Sequence, residues 1–305
     1  MRARIVITGA NSAIGRVLVQ RALARPGFHV TAAVRSARAA AEVGELPAER
    51  GRIRQVDYAL PESLAEAFSG ADAVIHLPGI LIEAPGRGYR EANVAPARAA
   101  VESARRAGVG KFVLVSAWGA DADSPNGFFQ SKGEAEKALL ESGLNYTVLR
   151  CPVVLGCASL ADAALARWAR GGWCALLGGG ANLDRPLDAR DLAEGALNAC
   201  QPERARNRVL EFVGPECLSV RELARRAGAL QSSSGRILPI PVGLACTAAR
   251  LKRRLGGRGG ISADVIEVLT TEVRCDPEDA ARALGVELTP LESTLRCSLS
   301  GGDEG

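Results

Sequence analysis

A glycine-rich turn near the start of the chain has residue types and a spacing that suit phosphate binding. The β-branched run Ile5–Ile7 ends at Gly9, and Gly15 follows six residues later, where an apolar pattern at helical spacing begins. A turn that joins a strand to a helix directs backbone N–H groups and the helix dipole at a phosphate. The middle glycine of the three-glycine pattern is absent, but Ser12 and Ala13 are small enough for close approach. The sequence predicts a dinucleotide site made by Gly9, Asn11, Ser12, Ala13, Ile14 and Gly15.

A basic residue follows the second predicted strand. In dinucleotide-binding folds an acidic residue at this place binds the ribose hydroxyls, whereas a basic one pairs with a 2′-phosphate. The strand ends at Arg35, and no carboxylate follows until Glu42. A guanidinium can bind a phosphate through two parallel hydrogen bonds. We therefore expect the cofactor to be NADP(H) rather than NAD(H); the alternative is that Arg35 is an ordinary surface arginine.

Short apolar strands alternate with helical segments over the first 150 residues. Such alternation indicates crossover units and a parallel sheet, so we expect an α/β fold with a doubly wound Rossmann sheet. The pattern predicts strands at 27–34, up to 57, 71–77, 111–115 and 145–149, and helices at 61–68, 89–107 and 133–142.

The regular alternation ends beyond Arg150. We expect residues 1–150 to form the dinucleotide-binding domain, with 187–213 returning to it. Residues 151–186 and 214–298 are expected to form a smaller, mostly helical substrate lobe, and 299–305 a disordered tail. Helices are predicted at 189–200, 219–227 (with a capping box of Ser219 and Glu222), 242–255, 263–269, 277–284 and 290–297, with a strand at 209–213 and a loop at 232–235.

Composition excludes several classes of protein. The 305 residues carry a net charge of +4, and no basic run is interleaved with aromatics, so no nucleic-acid partner is expected. Eight cysteines without a C-x-x-C pair, with only two histidines, predict reduced thiols and no metal site. No apolar run is long enough for a membrane span and the first strand begins close to Met1, so a cytoplasmic location is expected.

A basic and apolar stretch, 236–258, has two interpretations. Its apolar face, with Arg250, Lys252, Arg253, Arg254 and Arg258, suits peripheral contact with an anionic membrane. The other interpretation, which the sequence favours, is a solvated helix packed on one side.

The order and spacing of several motifs resemble the extended and atypical short-chain dehydrogenase/reductases, over nearly the whole chain. The most similar branches are that of the peripheral accessory subunit of respiratory complex I and the nitrogen-metabolite-repression-like group. The motifs are TGANSAIG (8–15), HLPG (76–79), EANV (91–94), FVLVSAWGA (112–120), FFQSKGEAEKALLESGLNYTVLRCPVVLG (128–156), RPLDARDLAEG (185–195), GPECLSVRELA (214–224) and LGVELTPLESTL (284–295).

The resemblance implies further cofactor contacts. Asp57 and Tyr58 would flank the adenine, and Leu77, Pro78 and Gly79 would line the ribose through their backbone. Cys151, Pro152 and Val153 would pass under the nicotinamide, and Lys132 would hold its ribose.

The resemblance also identifies a missing group. Typical members carry Y-x-x-x-K, in which the tyrosine moves the proton and the lysine lowers its pKa. Lys132 is present, but Phe128 stands where the tyrosine would be, and phenylalanine has no proton to donate. Ser116, at the end of the fifth strand, either points into the site or satisfies local backbone.

Two functions therefore remain open. In the first, an NADP(H)-dependent oxidoreductase acts on a small lipophilic molecule, such as a quinone, isoprenoid or enone, and Lys132, Ser116 or a bound water handles the proton. In the second, the nucleotide is structural or sensed, and the protein is a non-catalytic redox sensor or an accessory or assembly subunit. Phe128 favours the second, whereas Lys132 suits both.

Overall fold

A parallel sheet of seven strands lies at the centre of the computed structural model, which describes residues 3–254 and 260–300. A π-helical turn, Arg90–Val94, leads into the fourth helix. The first half of the chain contains β1 (Ala3–Thr8), α1 (Ala13–Ala24), β2 (Phe28–Val34), α2 (Ala37–Val43), β3 (Gly51–Gln55), α3 (Pro61–Phe68), β4 (Ala73–His76), α4 (Ala95–Arg106), β5 (Lys111–Ala117), α5 (Gly127–Leu140) and β6 (Tyr146–Cys151).

The second half is built from shorter strands and more helices. It contains β7 (Val154–Leu155), α6 (Leu160–Ala169), β8 (Gly172–Leu177), β9 (Leu183–Asp184), β10 (Leu187–Asp188), α7 (Ala189–Ala199), β11 (Arg208–Glu211), β12 (Leu218–Ser219), α8 (Val220–Leu230), β13 (Gly235–Ile240), α9 (Val242–Arg254), α10 (Ala263–Thr270), α11 (Pro277–Leu284) and α12 (Leu291–Ser300).

The strand order of the main sheet is β11-β6-β5-β4-β1-β2-β3, and all six pairings are parallel. This order confirms the predicted α/β fold with a doubly wound Rossmann sheet. The order reverses between β1 and β4, so a crevice opens outside the carboxyl ends of these two strands, where such folds bind ligands. Thr8 lies beside His76 there.

Both faces of the main sheet are buried, as its continuous apolar strands predict. Ile5 and Ile7 pack into one apolar layer with α1 and α7, while Val6 and Phe112 belong to the opposite layer with α3 and α4. A third cluster joins α6, α8 and α12. The site therefore lies at the edge of a rigid, doubly covered sheet.

One helix that the sequence assigns to the lobe contacts the Rossmann core instead. Leu284 of α11 lies in the same apolar layer as Ile5, against α7 and β11. Next to it, Asp191 accepts hydrogen bonds from the Thr289 backbone and hydroxyl, both at 2.7 Å. Asp188 accepts one from the Thr294 hydroxyl at 2.9 Å. The RPLDARDLAEG motif thus anchors the C-terminal segment to α7.

Several local predictions are corrected by the structure. The lobe includes α6 and a parallel pair, β8 and β13, which the sequence did not predict. Only half of the capping box forms: the Ser219 hydroxyl accepts from the Glu222 backbone, while the Glu222 carboxylate pairs with Arg225 and Arg226. Of the predicted disordered tail, 299 and 300 belong to α12, and 301–305 lie outside the described residues.

The described residues contain no helix that is both long enough and apolar enough to cross a membrane.

Candidate nucleotide-binding and active site

The turn between β1 and α1, residues 9–15, forms what we call the phosphate cradle. Gly9 has a φ of +71°, and its backbone N–H donates to the Ala33 carbonyl at 3.1 Å. A Cβ atom on Gly9 would lie 3.3 Å from the Pro78 ring, so a side chain there would be both strained and crowded. Glycine allows the chain to turn sharply between two strand ends.

Gly15 brings the first turn of α1 against the end of β1. A Cβ atom at this position would lie only 2.4 Å from the Gly9 carbonyl oxygen, which no other residue tolerates. The Ser12 hydroxyl caps the helix by accepting from the Gly15 N–H at 3.0 Å. The cradle therefore fits the pyrophosphate of a dinucleotide, because its backbone is open and the helix begins at the crevice.

Asn11 is fixed beside the cradle. Its side-chain amide donates to the Glu42 carboxylate at 2.9 Å, and its backbone carbonyl accepts from the Arg16 guanidinium at 2.9 Å. Ala13 and Ile14 follow as the first two residues of α1.

Arg35 and Tyr58 lie near each other at the far end of the crevice. Arg35 is exposed directly after β2. Burial raises the pKa of Tyr58 to about 12, and the nearby charge of Arg35 acts in the opposite direction. Asp57 is exposed, and one carboxylate oxygen accepts from the Ala59 N–H at 2.9 Å.

A second arginine, which sequence reasoning missed, lies close to Arg35. A tight turn at Pro85-Gly86 is closed by two backbone hydrogen bonds between Ala84 and Arg87, of 3.2 and 2.9 Å. Burial lowers the pKa of the Arg87 guanidinium, and the charge of Arg35 lowers it further. The Arg87 Nε is buried without a hydrogen-bond partner, and within 3–254 and 260–300 no ion pair joins either arginine to a carboxylate. Two positive charges therefore lie near each other here, and neither is paired with a carboxylate of the described chain.

The loop after β4 connects the cradle to α5. Leu77 and Pro78 follow the strand, and Pro78 contacts Gly9. A Cβ atom on Gly79 would lie 3.4 Å from the Asn93 side-chain oxygen and 3.6 Å from the Lys132 Nζ. The lysine amine is thus next to the Gly79 backbone, on the side of the predicted ribose.

Asn93, in the π-helical turn, positions this loop, a role that no sequence pattern predicts. Its Oδ1 accepts from the Ile80 N–H at 2.7 Å, and its Nδ2 donates to the Ile80 carbonyl at 3.2 Å. The same amide donates to the Ser131 hydroxyl at 2.8 Å, which in turn donates to the Phe128 carbonyl at 2.7 Å. One side chain therefore fixes the loop after β4 against α5.

Ser116, Phe128 and Lys132 form what we call the catalytic corner, at the carboxyl end of β5. The Lys132 amine donates to the Val115 carbonyl at 3.1 Å. Burial lowers its pKa to about 8, although Glu136 and Cys151 act in the opposite direction. The Ser116 hydroxyl is buried and has no hydrogen-bond partner. The local-backbone alternative for Ser116 therefore finds no support, since its hydroxyl bonds to no backbone group among the described residues.

Phe128 is buried in an aromatic cluster with Tyr89 and Phe129. The ring centroids of Tyr89 and Phe128 are 5.9 Å apart, and those of Phe128 and Phe129 are 5.8 Å apart. The Tyr89 hydroxyl donates to the Leu81 carbonyl at 2.9 Å, so it is already engaged. Val268 of α10 packs on the same cluster, and the Trp118 indole donates to the Glu272 carbonyl at 3.1 Å. The corner is thus bordered by apolar rings of the Rossmann half and by an aliphatic side chain of the lobe.

His76 lies beneath the cradle as a neutral buried group. Its Nδ1 is 2.9 Å from the Thr8 hydroxyl, and its Nε2 has no partner. Burial lowers its pKa to about 3, with a smaller contribution from the charge of Lys132.

Cys151, Pro152 and Val153 follow β6 on the other side of Lys132. Burial raises the pKa of Cys151 to about 12, so it is an inert thiol. The Val153 carbonyl accepts from the Leu187 N–H at 3.0 Å. All eight cysteines are free.

The comparisons with known proteins agree with this geometry. The family model described as NAD(P)H-binding matches residues 9–156, which include the cradle and the corner. An uncharacterized sugar epimerase, YhfK, from Bacillus subtilis is 31% identical over 157 residues, 48% of this chain and 70% of that protein.

Two other relatives match most of this chain. Subunit 9 of the NADH dehydrogenase [ubiquinone] 1 alpha subcomplex from Arabidopsis thaliana, a mitochondrial protein, is 26% identical over 80% of this chain. The chain spans 62% of the length of that relative, which is less than two thirds. An NAD(P)H azoreductase from Xenophilus azovorans is 28% identical over 255 residues, which are 84% of this chain and 81% of the azoreductase.

Solved structures share the fold. An NADPH-dependent quinone oxidoreductase from Escherichia coli superposes with a TM-score of 0.72 at 20% identity, over 96% of this chain and 98% of that one. The chain belongs to the NAD(P)H-binding proteins of the extended and atypical short-chain dehydrogenase/reductase group, which its sequence motifs resemble.

Proposed function

We propose that the protein is an NADP(H)-dependent oxidoreductase that reduces a small lipophilic molecule, with Lys132 in place of the missing tyrosine as the proton donor. The observation that carries the proposal is the pair of polar groups in the catalytic corner. The buried Lys132 amine, with a pKa of about 8, donates to the carbonyl of Val115. The next residue, Ser116, has a buried hydroxyl without a hydrogen-bond partner. Unsatisfied buried polar groups are costly, and they concentrate at functional sites.

The two side chains have complementary roles. A bound NADPH supplies the hydride. The Ser116 hydroxyl can donate a hydrogen bond to a substrate oxygen, since nothing else occupies it. The Lys132 Nζ donates one hydrogen bond to Val115, which leaves two N–H groups for the ribose and the reacting atom. Because its pKa is close to neutrality, the amine can give up a proton and regain it at physiological pH.

The apolar surroundings indicate the substrate class. Phe128, Phe129 and Tyr89 surround the corner with rings, and Val268 and Ala117 add aliphatic surface. An apolar site favours a quinone-, isoprenoid- or enone-like molecule over a sugar, whose hydroxyls need hydrogen-bond partners. The azoreductase relative, whose name states an NAD(P)H-dependent reduction, also supports an oxidoreductase.

The preference for NADP(H) rests on two arginines. The charge of Arg35 acts on both Tyr58 and Arg87, and among the described residues no ion pair joins either arginine to a carboxylate. Two guanidiniums that repel each other are stabilised by an anion such as a 2′-phosphate.

The test is NADPH oxidation over a panel of quinones, enones and azo compounds, with Lys132→Met and Ser116→Ala. We expect Lys132→Met to lower kcat by about 10²- to 10⁴-fold, the usual contribution of a proton donor. Ser116→Ala should lower it less, because it removes one hydrogen bond. Lys137→Met is the matched control, since Lys137 lies on the same helix but is exposed and pairs with Glu141. Full activity of Lys132→Met would contradict the proposed role.

A second candidate, a non-catalytic nucleotide-binding subunit or sensor, is favoured by Phe128. The residue is packed among Tyr89 and Phe129, so no proton donor stands at the usual place. The plant relative, named as a subunit of NADH dehydrogenase, supports this candidate. Two results together would favour the non-catalytic candidate over the enzyme. The wild type would hold nucleotide tightly without oxidising it on any substrate of the panel, and only Phe128→Tyr would show turnover.

A further inference from the structure

α9 presents its larger apolar side chains outward. Val242, Ala245, Cys246 and Ala249 are half-buried on the side that packs toward α10, and no residue of α9 is fully buried. Leu244 and Leu251 are 68% and 56% exposed, and they lie seven residues apart. At that spacing, with Ala248 between them, they form one stripe along the helix.

The strand that leads into α9 continues the exposed apolar surface. Trp173 of β8 lies beside Arg236 of β13, and Ala175 lies beside Leu238. Trp173 is 71% and Leu238 is 48% exposed, while Cys174 and Leu176 point into the lobe. The Arg236 guanidinium is 6.0 Å from the centre of the Trp173 ring. One face of this two-stranded sheet is therefore covered by no other element of the described chain.

The charged residues within this stretch of sequence have one sign. No aspartate or glutamate occurs from Leu223 to Ala263, whereas eight arginines and lysines do. Arg250, Arg253 and Arg254 stand in the last two turns of α9 itself. Soluble proteins normally direct the apolar stripe of a helix at their own core. Here the stripe faces out with Arg254 beside it, while Arg250 and Arg253 line a cavity that Glu83 and Glu91 also line.

We propose that α9 and the outer face of β8–β13 dock on an anionic lipid bilayer. Apolar side chains such as Leu244 and Leu251 would enter the boundary between headgroups and acyl chains, while the arginines bind lipid phosphates. A tryptophan with an arginine beside it suits the same interface, because its ring is apolar and its N–H is polar. An acidic protein partner fits less well, since exposed leucines without a groove give it no shape to recognise.

Vesicle sedimentation tests this surface independently of catalysis. The full chain is mixed at low salt with phosphatidylcholine vesicles that contain about a third phosphatidylglycerol, or none. Wild type should sediment with the anionic vesicles and bind the neutral ones roughly tenfold more weakly or worse. Raised salt should release it. No sedimentation, or equal binding to both vesicles, would overturn the proposal.

Variants separate the docking face from the rest of the surface. Leu244→Glu with Leu251→Glu should weaken binding by about tenfold or more, since two apolar anchors are replaced by anions. Leu60→Glu is the matched control, because Leu60 is 55% exposed at the start of α3. Unchanged circular dichroism shows that the variants fold. Binding by the double variant that equals wild type would overturn the proposal.

The fluorescence of Trp173 gives a second readout. Its emission should shift to the blue on anionic vesicles, and Trp173→Phe should remove the shift. A dimer in solution that the double leucine variant abolishes would instead make the face a contact between two copies of the chain, and would also overturn the proposal.

Discussion

The phosphate cradle and the catalytic corner lie at neighbouring strand ends, but they depend on different kinds of atoms. The cradle is made by backbone and by the absence of side chains. Gly9 has a positive φ, and a Cβ atom on Gly15 would lie 2.4 Å from a carbonyl oxygen. The corner depends on the buried side-chain atoms of Lys132 and Ser116, one with a shifted pKa and one without a partner. Nucleotide binding should thus depend on the shape of the backbone, whereas the proposed catalysis should depend on single side-chain atoms.

The sharpest test of the cradle is Gly15→Val. The new side chain would meet the Gly9 carbonyl oxygen, which is backbone and cannot move aside, so we expect a loss of about 3 kcal/mol of stability. Nucleotide binding should fall below detection in a fluorescence titration with NADPH. Gly27→Ala is the control, because a Cβ on Gly27 meets nothing within 4 Å. Normal NADPH affinity in Gly15→Val would show that the cradle does not bind the nucleotide.

The corner is tested by the pH dependence of reduction. Lys132 has a pKa of about 8 and must carry its proton to donate it. Therefore kcat/KM should be level below this pH and fall roughly tenfold per unit above it. In Lys132→Arg, whose guanidinium stays protonated, any remaining activity should lack this fall.

NADPH affinity measured over the same range provides the control for the pH profile. A profile that is level up to pH ~10 in wild type would exclude Lys132 as the donor.

A smaller effect is expected at the adenosine end of the crevice. Arg87→Gln and Arg35→Gln should each weaken NADPH binding by about tenfold and leave NADH binding unchanged, because only NADPH carries the 2′-phosphate. Arg38→Gln is the control, since Arg38 is exposed and pairs with Glu42. Equal losses for NADPH and NADH would mean that the arginines do not recognise the 2′-phosphate.

The smallest effect is expected for Phe128→Tyr on stability. The new hydroxyl would be buried among Tyr89 and Phe129, at a cost of about 1 kcal/mol if it finds no partner. Thermal unfolding measures this, with Phe28→Tyr at a half-buried position as the control. No loss of stability would mean that the hydroxyl reaches a polar group, such as the Lys132 amine, and that the corner tolerates the proton relay of typical members.

The sequence predicted the Rossmann half well because its signals are local. Continuous apolar strands and the glycines at 9 and 15 are visible within a few residues of each other, and the structure places them as expected. The cradle residues and Arg35 rest on local spacing, whereas the other cofactor contacts and the catalytic residues rest on the family resemblance; all remain predictions for experiment.

Arg87 and Asn93 were missed because their roles depend on long-range folding. Each belongs to the segment after β4, which turns back along the crevice, so that Arg87 meets Arg35 and Asn93 meets Ser131. No pattern within the segment indicates these partners. The same reason hides the pairing of β8 with β13, which are separated along the chain by four strands and two helices.

Asn126 joins the helix of the catalytic corner to the lobe through one amide group. Its oxygen accepts from the backbone N–H groups of Phe128 and Phe129, and its nitrogen donates to the Asp264 carbonyl and the Glu267 carboxylate. Any ligand that tightens the lobe on α10 therefore also tightens the first turn of α5. We therefore expect the amide protons of Phe128 and Phe129 to report any such tightening through slower exchange with deuterium.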